Sequence, residues 1–301
     1  MSKVIVTGGA GFVGSHIADR LINDGHEVVV LDNLSTGKRE NVNHAAKLVE
    51  CDIKNFDIIA PHFTGAAAVF HCAALARIQP SIQDPLPYND ANITGTLNVL
   101  WSAHKAGVKK FMYSASSSAY GRDENIALRE DMTTRTGSPY ALQKLVGEMY
   151  CELFAKLYKL PTVRLRYFNV YGPRQITEGA YAAVIGIFLK QRADGKSMTV
   201  VGDGEQRRDF THIDDVVEAN MLAWKTDVPP GELFNVGAGK NYSVNEVAAL
   251  IGGETVHLPE RPGEYRTTLA DNRKAREILG WAPKRQMPEA IAELKKFHGL
   301  I

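Results

Sequence analysis

The feature that most constrains the fold is a set of glycines after the first apolar segment. Lys3–Thr7 is a short, largely apolar run typical of a buried strand, and Gly8, Gly11 and Gly14 follow it. Residues 15–23 then place apolar side chains on one face of a helix. Glycines between a strand and a helix allow a tight turn, a close backbone approach to phosphates and close helix–sheet packing. The pattern predicts a loop that holds a dinucleotide pyrophosphate.

An acidic residue follows at the distance that such a site requires. Residues 28–31 form a second apolar strand, which ends in Asp32, about 20 residues after the loop. A carboxylate there can accept hydrogen bonds from both ribose hydroxyls and would repel the 2′-phosphate of NADP. Lys38 and Arg39 come soon after it, so the sequence favours NAD without excluding NADP. The fold that we predict is α/β, a doubly wound parallel-sheet Rossmann domain with a smaller α/β substrate-binding domain.

A tyrosine and a lysine share one helix face in the middle of the chain. Ser138 suits the N-cap and Pro139 the first position of a helix, which puts Tyr140 and Lys144 one turn apart. A free phenol has a pKa near ~10, but a nearby ammonium and the positive nicotinamide of NAD would both favour the phenolate. An amphipathic helix can carry such a pair by chance. After a dinucleotide loop, we interpret Tyr140 as an acid/base for redox chemistry at a hydroxyl-bearing carbon.

A serine cluster follows another predicted strand, at residues 110–114. Its position at the carboxyl end of a strand is where doubly wound sheets bind their ligands. Short hydroxyl groups there could hydrogen-bond the reacting oxygen and relay its proton, although we interpret most of these serines as parts of a turn. The cluster consists of Ser116, Ser117 and Ser118, and Ser114 ends the strand before it.

Further blocks occur in order along the chain. Besides the features above, they are Asp52-Ile53, His71-Cys72-Ala73-Ala74, residues 92–96, residues 166–173 (Arg-Tyr-Phe-Asn-Val-Tyr-Gly-Pro), residues 202–212 and Arg261-Pro262-Gly263-Glu264. Over nearly its whole length, the sequence resembles the extended short-chain dehydrogenase/reductase family, and within it the nucleotide-sugar 4-epimerases that act on UDP-glucose or UDP-N-acetylglucosamine.

The resemblance implies roles for individual residues and implies NAD as the cofactor. Ser116, Tyr140 and Lys144 would be catalytic, and Ser116 is chosen because the family's catalytic Ser/Thr lies four residues before a Tyr-Gly pair, here Tyr120-Gly121. The implied cofactor-binding residues are Gly8, Gly11, Phe12, Val13, Gly14, Asp32, Asn33, Ser35, Thr36, Gly37, Asp52, Ile53, Cys72, Ala73, Ala74, Ala76, Asn92, Ser114, Tyr140, Lys144, Tyr167 and Val170.

The resemblance also implies a UDP-sugar as substrate. Asn169 and Arg208 would hold its phosphates and uridine end, and arginine suits a pyrophosphate because its planar guanidinium is always charged. In related epimerases, a tyrosine near the C-terminus restricts the hexose pocket to glucose and galactose, and Thr268 stands at that position here. We interpret the neighbouring Arg207 as a solvated surface charge. The implied substrate-binding residues are Ser116, Tyr140, Asn169, Val184, Val201, Arg208, Arg261, Glu264 and Thr268.

Composition argues against several other classes of protein. The net charge of +1, with both signs interspersed, argues against a surface for nucleic acid or membrane. We find no apolar run near ~18 residues and expect no signal peptide. No cluster has metal-ligand spacing, so we predict no metal site and interpret His71 and His212 as structural. We interpret the three cysteines as buried free thiols, which predicts a cytoplasmic protein; they are Cys51, Cys72 and Cys151.

The predicted order of elements divides the chain in two. Residues 1–168 plus 212–236 would form the NAD-binding domain, and residues 169–211 plus 237–301 the substrate domain. Beyond residue 168, helices are predicted at 180–192, 213–225, 243–251 and 273–279, with a strand at 233–236. By analogy with relatives, we predict a homodimer through a four-helix interface built from residues 92–106 and the helix at Ser138. Its candidate contacts are Leu97, Leu100, Trp101, Leu145, Met149, Leu153 and Phe154.

Four functions compete on this scaffold: 4-epimerisation, dehydration or decarboxylation, net reduction, and non-catalytic sensing of NAD. Relatives that eliminate water or carbon dioxide carry an acid just after the catalytic Ser/Thr, where this chain has Ser117 and Ser118. Asp32 weighs against an NADPH reductase, and the three intact catalytic residues weigh against a sensor. We predict 4-epimerisation of a UDP-hexose through a 4-keto intermediate, with N-acetylated and plain hexoses accepted. A UDP-glucuronate epimerase, a dehydratase or a reductase stays the alternative.

Overall fold

A seven-stranded parallel sheet lies at the centre of the molecule. The computed structural model describes residues 1–121, 126–179, 182–260 and 266–301. Within these ranges the strands, in chain order, are β1 (Lys3–Thr7), β2 (Glu27–Asp32), β3 (Lys47–Glu50), β4 (Ala66–His71), β5 (Lys110–Ser116), β6 (Thr162–Tyr167), β7 (Val170–Tyr171), β8 (Met198–Val201), β9 (Arg207–Asp209), β10 (Thr211–His212), β11 (Glu232–Val236), β12 (Asn241–Ser243) and β13 (Thr255–Leu258).

Helices cover both faces of this sheet and build a second lobe beside it. In chain order the described α-helices are α1 (Phe12–Asn23), α2 (Phe56–Ile59), α3 (Ile78–Gln83), α4 (Pro85–Asn89), α5 (Gly95–Lys105), α6 (Pro139–Tyr158), α7 (Val184–Ala193), α8 (Ile213–Lys225), α9 (Val244–Ile251), α10 (Arg273–Leu279) and α11 (Met287–Phe297). A π-helical turn, Asp90–Thr94, joins α4 to α5.

The strand order explains where a ligand can bind. The sheet runs β11-β6-β5-β4-β1-β2-β3, and every neighbouring pair is parallel. The order of strands reverses between β1 and β4, so the crevice beyond their carboxyl ends is open to a ligand. The predicted doubly wound parallel sheet is confirmed.

Two apolar cores on opposite faces hold the sheet between its helices. Val4 and Val6 of β1 pack in a core with residues of α1 and α8. Ile5, between them, packs in the other core with residues of α5 and α6. Because both faces are covered, β1 is a continuous apolar run, as strands of parallel sheets typically are.

A third core belongs to the second lobe. It joins α7, α9 and α11 with β8 through side chains such as Phe188, Val247, Ile291 and Val200. Two strand pairs lie in this lobe, β12 antiparallel to β9 and β13 parallel to β8. The chain then returns to the central sheet through β11, beside β6. The division into two domains with the stated boundaries stays a prediction.

The structure differs from the sequence prediction in three details. The helix predicted at 180–192 begins at Val184, and residues 180–181 lie outside the described ranges. The final helix, α11, was not predicted. Cys72 is only partly buried, unlike Cys51 and Cys151. The reason is that it follows the carboxyl end of β4, where the crevice opens. Across the described ranges, no helix combines the length and apolar character that crossing a membrane would need.

Candidate active site

The glycine loop leaves its backbone open to a ligand. Gly8 has a φ of +69°, and a Cβ there would lie 2.6 Å from the amide nitrogen of Ala73. A Cβ on Gly14 would lie 2.2 Å from the carbonyl oxygen of Gly8. Gly11 precedes α1 and no side chain caps that helix, so its first N–H groups face the loop. An uncapped helix N-terminus behind a side-chain-free loop suits a pyrophosphate.

Asp32 fixes the segment that packs against this loop. One carboxylate oxygen accepts from the amide of Ala10 at 2.9 Å, and the other accepts from the amide of Leu34 at 2.8 Å. The Asn33 side-chain amide donates to Asp52 at 3.1 Å, which links the ends of β2 and β3. The predicted adenosine-binding residues therefore lie at one edge of the sheet, with Ser35 and Thr36 exposed, Gly37 against the loop and Ile53 buried against Gly95.

The two cations after Asp32 are engaged elsewhere. Lys38 pairs with Glu40, at 3.5 Å, and Arg39 pairs with Glu50. A 2′-phosphate beside Asp32 would meet a carboxylate, while both cations already face carboxylates. The arrangement therefore suits NAD better than NADP.

A polar clamp holds the loop that follows β4. Asn92, in the π-helical turn, accepts from the amide of Leu75 and donates to its carbonyl, both at 2.9 Å. The same side chain donates to Gln143 of α6 at 3.1 Å. A π-helical turn is common at functional sites, and here it places the buried Asn92 between the loop after β4 and α6. The predicted residues Cys72, Ala73, Ala74 and Ala76 lie on this loop, each partly buried.

Side chains at the ends of β4, β5 and β6 meet at the middle of the crevice. The Ser114 hydroxyl donates to the Cys72 sulfur at 3.3 Å and lies 3.2 Å from the Tyr167 hydroxyl. Burial raises the pKa of the Cys72 thiol to about 11, so it stays protonated at neutral pH. Val170 begins β7, and Phe12 and Val13 begin α1 at the same end of the sheet.

The predicted acid/base lies at the start of α6. The Ser138 hydroxyl accepts from the amide of Ala141 at 3.2 Å, which confirms it as the helix cap. Ser116 is near the phenol of Tyr140, and the Ser116 hydroxyl lies 2.9 Å from that of Ser118. Burial raises the pKa of the Tyr140 phenol, while the hydrogen bond with Ser116 and the charge of Arg77 lower it.

Lys144 is buried one turn after Tyr140, beside the ring of Tyr113. Only 4% of its surface is exposed, and burial lowers the pKa of its ammonium to about 8. Its Nζ lies 4.3 Å from the centre of the Tyr113 ring. Among the described residues, the charge of Arg77 lowers the pKa of Tyr140, and the sequence analysis did not single out Arg77.

A buried ion pair beneath these residues was also missed. Arg166 of β6 donates to Glu148 of α6 through two nitrogens, at 2.9 and 2.7 Å, and its guanidinium lies 4.4 Å from the centre of the Tyr120 ring. Glu148 lies one turn after Lys144 and raises the pKa of that ammonium. The sequence feature that could have revealed this pair was Glu148 itself, an acidic residue on the buried face of α6.

Two histidines have structural contacts. His71 is buried between the hydroxyls of Thr7, 2.6 Å from Nδ1, and Thr96, 2.9 Å from Nε2. Burial lowers its pKa to about 3, so it stays neutral. His212 caps α8, where its Nδ1 accepts from the amide of Asp214 at 3.2 Å. These contacts are consistent with the interpretation of both histidines as structural residues.

The second lobe brings together three predicted substrate residues. Asn169, with a φ of +29°, donates to the carbonyl of Asp209 at 2.8 Å and to the Thr268 hydroxyl at 3.4 Å. Arg208, in β9, donates to the carbonyl of Arg266 at 3.3 Å. Val184 and Val201, at the start of α7 and the end of β8, are partly buried. Arg261 and Glu264 lie outside the described residues.

One carboxylate ties the segments of this lobe together. Asp209 accepts from the amides of Ala238, Gly239 and Ala270 at 2.7, 2.9 and 3.0 Å. Burial raises its pKa to about 6 although these bonds lower it. The neighbouring Arg207 is partly exposed and pairs with Glu246 at 2.8 Å, which links β9 to α9.

Comparison with known proteins gives concordant results. The model of the NAD dependent epimerase/dehydratase family matches residues 4–237. A UDP-glucose 4-epimerase from Thermotoga maritima, solved with UDP-glucose, is 38% identical with a TM-score of 0.93, covering 98% of this chain and 99% of that one. A UDP-N-acetylglucosamine 4-epimerase from Methanobrevibacter ruminantium, in complex with UDP-N-acetylmuramic acid, is 36% identical with a TM-score of 0.93 over 100% and 99%.

A third similar structure bears on the cofactor. The UDP-glucose 4-epimerase of Thermus thermophilus, solved with NAD, is 34% identical with a TM-score of 0.91, covering 99% of this chain and 100% of that one. The residues of this chain fit the same group, because the glycine loop admits no side chain at Gly8 or Gly14 and Asp32 lies at the end of β2. The cofactor is NAD, and the chain belongs to the NAD-dependent epimerase/dehydratase family.

Proposed function

We propose that the protein catalyses 4-epimerisation of a UDP-hexose through a 4-keto intermediate. The observation that carries the proposal is the position of Ser116 and the buried Tyr140 together at the carboxyl end of β5, the end of the sheet at which the glycine loop also lies. Epimerisation needs one group that takes a proton and later returns it, and this pair supplies one. The similarity to solved UDP-sugar 4-epimerases supports the same reaction.

The chain's own residues would act as follows. The glycine loop and Asp32 would hold NAD, which when bound would supply the hydride acceptor and donor for C4 of the hexose. Tyr140 takes the proton of the C4 hydroxyl and returns it to the oxygen after the ketone has presented its other face. Ser116 hydrogen-bonds the reacting oxygen and Tyr140. A base that takes up a proton and gives it back is restored at the end of each turnover.

The polar groups beside Ser116 favour epimerisation over elimination. Ser116 lies 2.9 Å from Ser118, where relatives that remove water or carbon dioxide have an acid close to the catalytic Ser/Thr. A serine hydroxyl has no titration near neutral pH and cannot serve as that second acid/base. The dehydratase and decarboxylase alternatives therefore lack a group they need.

We also propose that the hexose pocket accepts both N-acetylated and plain sugars. Thr268 is small, and its hydroxyl accepts from Asn169 at 3.4 Å and from the amide of Asp209 at 3.3 Å. These bonds hold the side chain against the backbone, which supports a pocket wide enough for an acetamido group. Arg208, on the adjoining strand, is our proposed contact to the UDP phosphates.

Purified protein incubated separately with UDP-glucose, UDP-N-acetylglucosamine and UDP-glucuronate tests both proposals. We expect chromatography to resolve the 4-epimer from the first two substrates. Formation of the epimer from UDP-glucuronate alone would overturn the substrate assignment. Release of a dehydrated or decarboxylated product, or no product from any of the three, would overturn the proposed reaction.

A homodimer through α5 and α6 is our proposal for the assembly. Leu142, Met149 and Leu153 lie along one side of α6 and are 50%, 61% and 44% exposed. An apolar stripe of this length on a helix suits a second copy of the chain. Leu100 and Phe154, predicted as candidate contacts, are instead buried in the core beside the sheet. The free cysteines support our proposal of a cytoplasmic location.

Light scattering checks the assembly. We expect a dimer at micromolar concentration and a monomer for Met149→Glu combined with Leu153→Glu, because two buried carboxylates would face their symmetry mates. The matched control is Leu86→Glu, an equally apolar exposed residue on α4 (73% exposed), which should stay dimeric. A monomeric wild type would contradict the proposal.

A further inference from the structure

Lys144 carries its charge at the end of a long side chain, and something must define where that end lies. Helical spacing puts its backbone one turn after Tyr140, but a flexible carbon stem separates the backbone from the ammonium. A buried ammonium is stable only where nearby groups replace the water it has lost. Tyr113, in the neighbouring strand β5, supplies two contacts to this lysine.

The side chain of Tyr113 contacts Lys144 at both ends. The Lys144 Nζ lies 4.3 Å from the centre of the Tyr113 ring, a distance at which the negative face of an aromatic ring attracts a cation. The Tyr113 hydroxyl donates to the backbone carbonyl of Lys144 at 3.3 Å. Tyr113 is fully buried and Lys144 is 4% exposed, so little water screens the attraction. One aromatic side chain therefore contacts the lysine at its backbone and at its charge.

A glycine in α6 leaves room for this tyrosine. Gly147 follows Lys144 on the same face of the helix, and a Cβ there would lie 2.1 Å from the Tyr113 hydroxyl oxygen and 2.5 Å from the ring carbon that carries it. Glycine inside a helix costs stability relative to alanine, so its presence here needs a packing reason. That reason is the Tyr113 ring, which a larger residue would push away from Lys144.

A neutral imidazole lies beside the Tyr113 ring. The ring of His71 stacks with it, with the centroids 5.8 Å apart and the planes 30° apart. The Thr96 hydroxyl donates to a carbonyl one turn earlier at 2.7 Å, so it can accept from His71 Nε2 at 2.9 Å. The Thr7 hydroxyl, 2.6 Å from Nδ1, then donates to that nitrogen. An imidazole with one donor and one acceptor nitrogen is uncharged, so it does not repel the ammonium of Lys144.

The surroundings of the Lys144 ammonium combine burial with several weakly charged groups. Burial lowers the pKa of this ammonium to about 8, and the thiols and the carboxylate of the set raise it. The charge of Lys144 is therefore sensitive to each neighbour. The titratable groups that face it are His71 of β4, Cys72 after that strand, Tyr113 of β5, and Glu148 and Cys151 of α6.

We propose that Tyr113 is a positioning residue that acts through Lys144: its hydroxyl and its ring hold the lysine side chain in one orientation, with the ammonium on the face of the ring. The inference deepens the proposed function and rests on it for the activity readout, since Lys144 is one of the three predicted catalytic residues. The orientation of Lys144 can be measured without any substrate.

The direct test is NMR of the cofactor-bound protein with an isotopic carbon label at the ε position of its lysines. The Lys144 signal is the one that Lys144→Arg removes. Because an aromatic ring shields protons held over its face, we expect an upfield-shifted ε-methylene signal in wild type and in Tyr113→Phe. Tyr113→Leu stays apolar but has no ring, and should move the signal toward that of exposed lysines. Phe111→Leu, in the same strand and the same core, is the matched control and should not move it.

Titration of the same signal and steady-state rates give two further readouts. Loss of the ring should lower the pKa of Lys144 in Tyr113→Leu by about half a pH unit or more, because the ring stabilises the charged form. Tyr113→Phe keeps the ring and should retain the wild-type pKa. We expect Tyr113→Leu to lower kcat by about tenfold or more, with KM for the UDP-sugar near that of wild type. Phe111→Leu should change neither constant by more than a few-fold.

These comparisons separate orientation of Lys144 from damage to the core. If Tyr113→Leu does not fold, Tyr113→Met replaces it, because a flexible methionine fills irregular space. The inference is overturned by a wild-type Lys144 signal without an upfield shift, by an equal displacement in Phe111→Leu, or by a displaced signal with unchanged kcat. Absence of turnover in wild type would instead count against the proposed function, while the NMR signal still tests Tyr113.

Discussion

The two halves of the crevice are assembled in different ways. On the cofactor side, Gly8 and Gly11 lie in the turn between β1 and α1, Gly14 lies in the first turn of α1, and the backbone itself forms the binding surface. On the substrate side, Asn169, Thr268 and the segment around Arg208 come from distant parts of the chain and are joined through Asp209. The first half depends on local geometry, and the second depends on how separate segments pack.

The comparison teaches where each function is vulnerable. A change in the glycine loop acts on the backbone and should remove cofactor binding and turnover together. A change at Asp209 acts on the relative position of three segments and should weaken substrate binding while the cofactor stays bound. Tyr140 stands where the halves meet, so its removal should affect the chemistry and neither binding site.

The largest effect is expected for Tyr140→Phe. Turnover should fall by ~10²–10⁴-fold, which is the usual contribution of a general acid/base, while the affinities for NAD and UDP-sugar stay near those of wild type. Initial rates and calorimetric binding measure the two quantities. Turnover within a few-fold of wild type would show that another group moves the proton.

Gly14→Ala should have the next largest effect. The added methyl group would lie 2.2 Å from the carbonyl oxygen of Gly8, so the backbone must shift. We expect about 1–3 kcal/mol of lost stability together with loss of NAD. Gly186→Ala, in α7 of the second lobe, is the matched control: its methyl group would lie 2.6 Å from the carbonyl oxygen of Ile176, so it should lose stability without losing NAD. Thermal unfolding and cofactor content after purification check the pair. Equal loss of NAD in the two variants would contradict the claim that the local backbone geometry of the glycine loop holds the cofactor.

Thr268→Tyr tests the substrate half by size. A phenol there would occupy the space that we assign to an acetamido group, so activity on UDP-N-acetylglucosamine should fall by roughly tenfold or more relative to UDP-glucose. The ratio of the two rates serves as an internal control for damage to the fold. An unchanged ratio would show that Thr268 does not line the hexose pocket.

Asp209→Asn should have the smallest effect on turnover, and it should separate substrate binding from cofactor binding most clearly. An amide cannot accept from all three N–H groups without turning its own NH₂ toward a donor, which should weaken UDP-sugar binding by about tenfold and leave NAD bound. The control is Asp203→Asn, an exposed acid of the same lobe that pairs with Arg266. Equal loss of NAD binding and UDP-sugar binding would contradict the distinction between the two halves of the crevice.

The raised pKa of Asp209 also gives a pH dependence. Between its ordinary value of 3.8 and about 6, the folded protein binds more protons at this group than the unfolded chain does. Its contribution therefore makes stability fall as pH rises through that window. Unfolding in denaturant at several pH values should show this slope in wild type and lose it in Asp209→Asn. An identical pH dependence of stability in both proteins would contradict the raised pKa of Asp209.

The same contrast explains what the sequence could reveal. The glycine loop, Asp32 and the helix at Ser138 were predictable because each is a local pattern with one geometric solution. Arg77 was not, since its relation to Tyr140 depends on how the loop after β4 packs against α6. The Glu148–Arg166 pair and the contacts of Asp209 are likewise tertiary. The expectation that Lys144 acts on Tyr140 stays a prediction, because helical spacing places two residues on one face but does not fix where a long side chain ends.

The most direct test of the central claim follows the hydrogen at C4. Enzyme is given a UDP-hexose that carries deuterium at C4, and the product is examined by NMR and mass spectrometry. The account predicts a 4-epimer that retains the deuterium at C4, because the hydride that leaves the carbon returns to it while Tyr140 exchanges only the hydroxyl proton. A 4-epimer that has exchanged this deuterium for solvent hydrogen would contradict it, as would a product with unchanged configuration at C4.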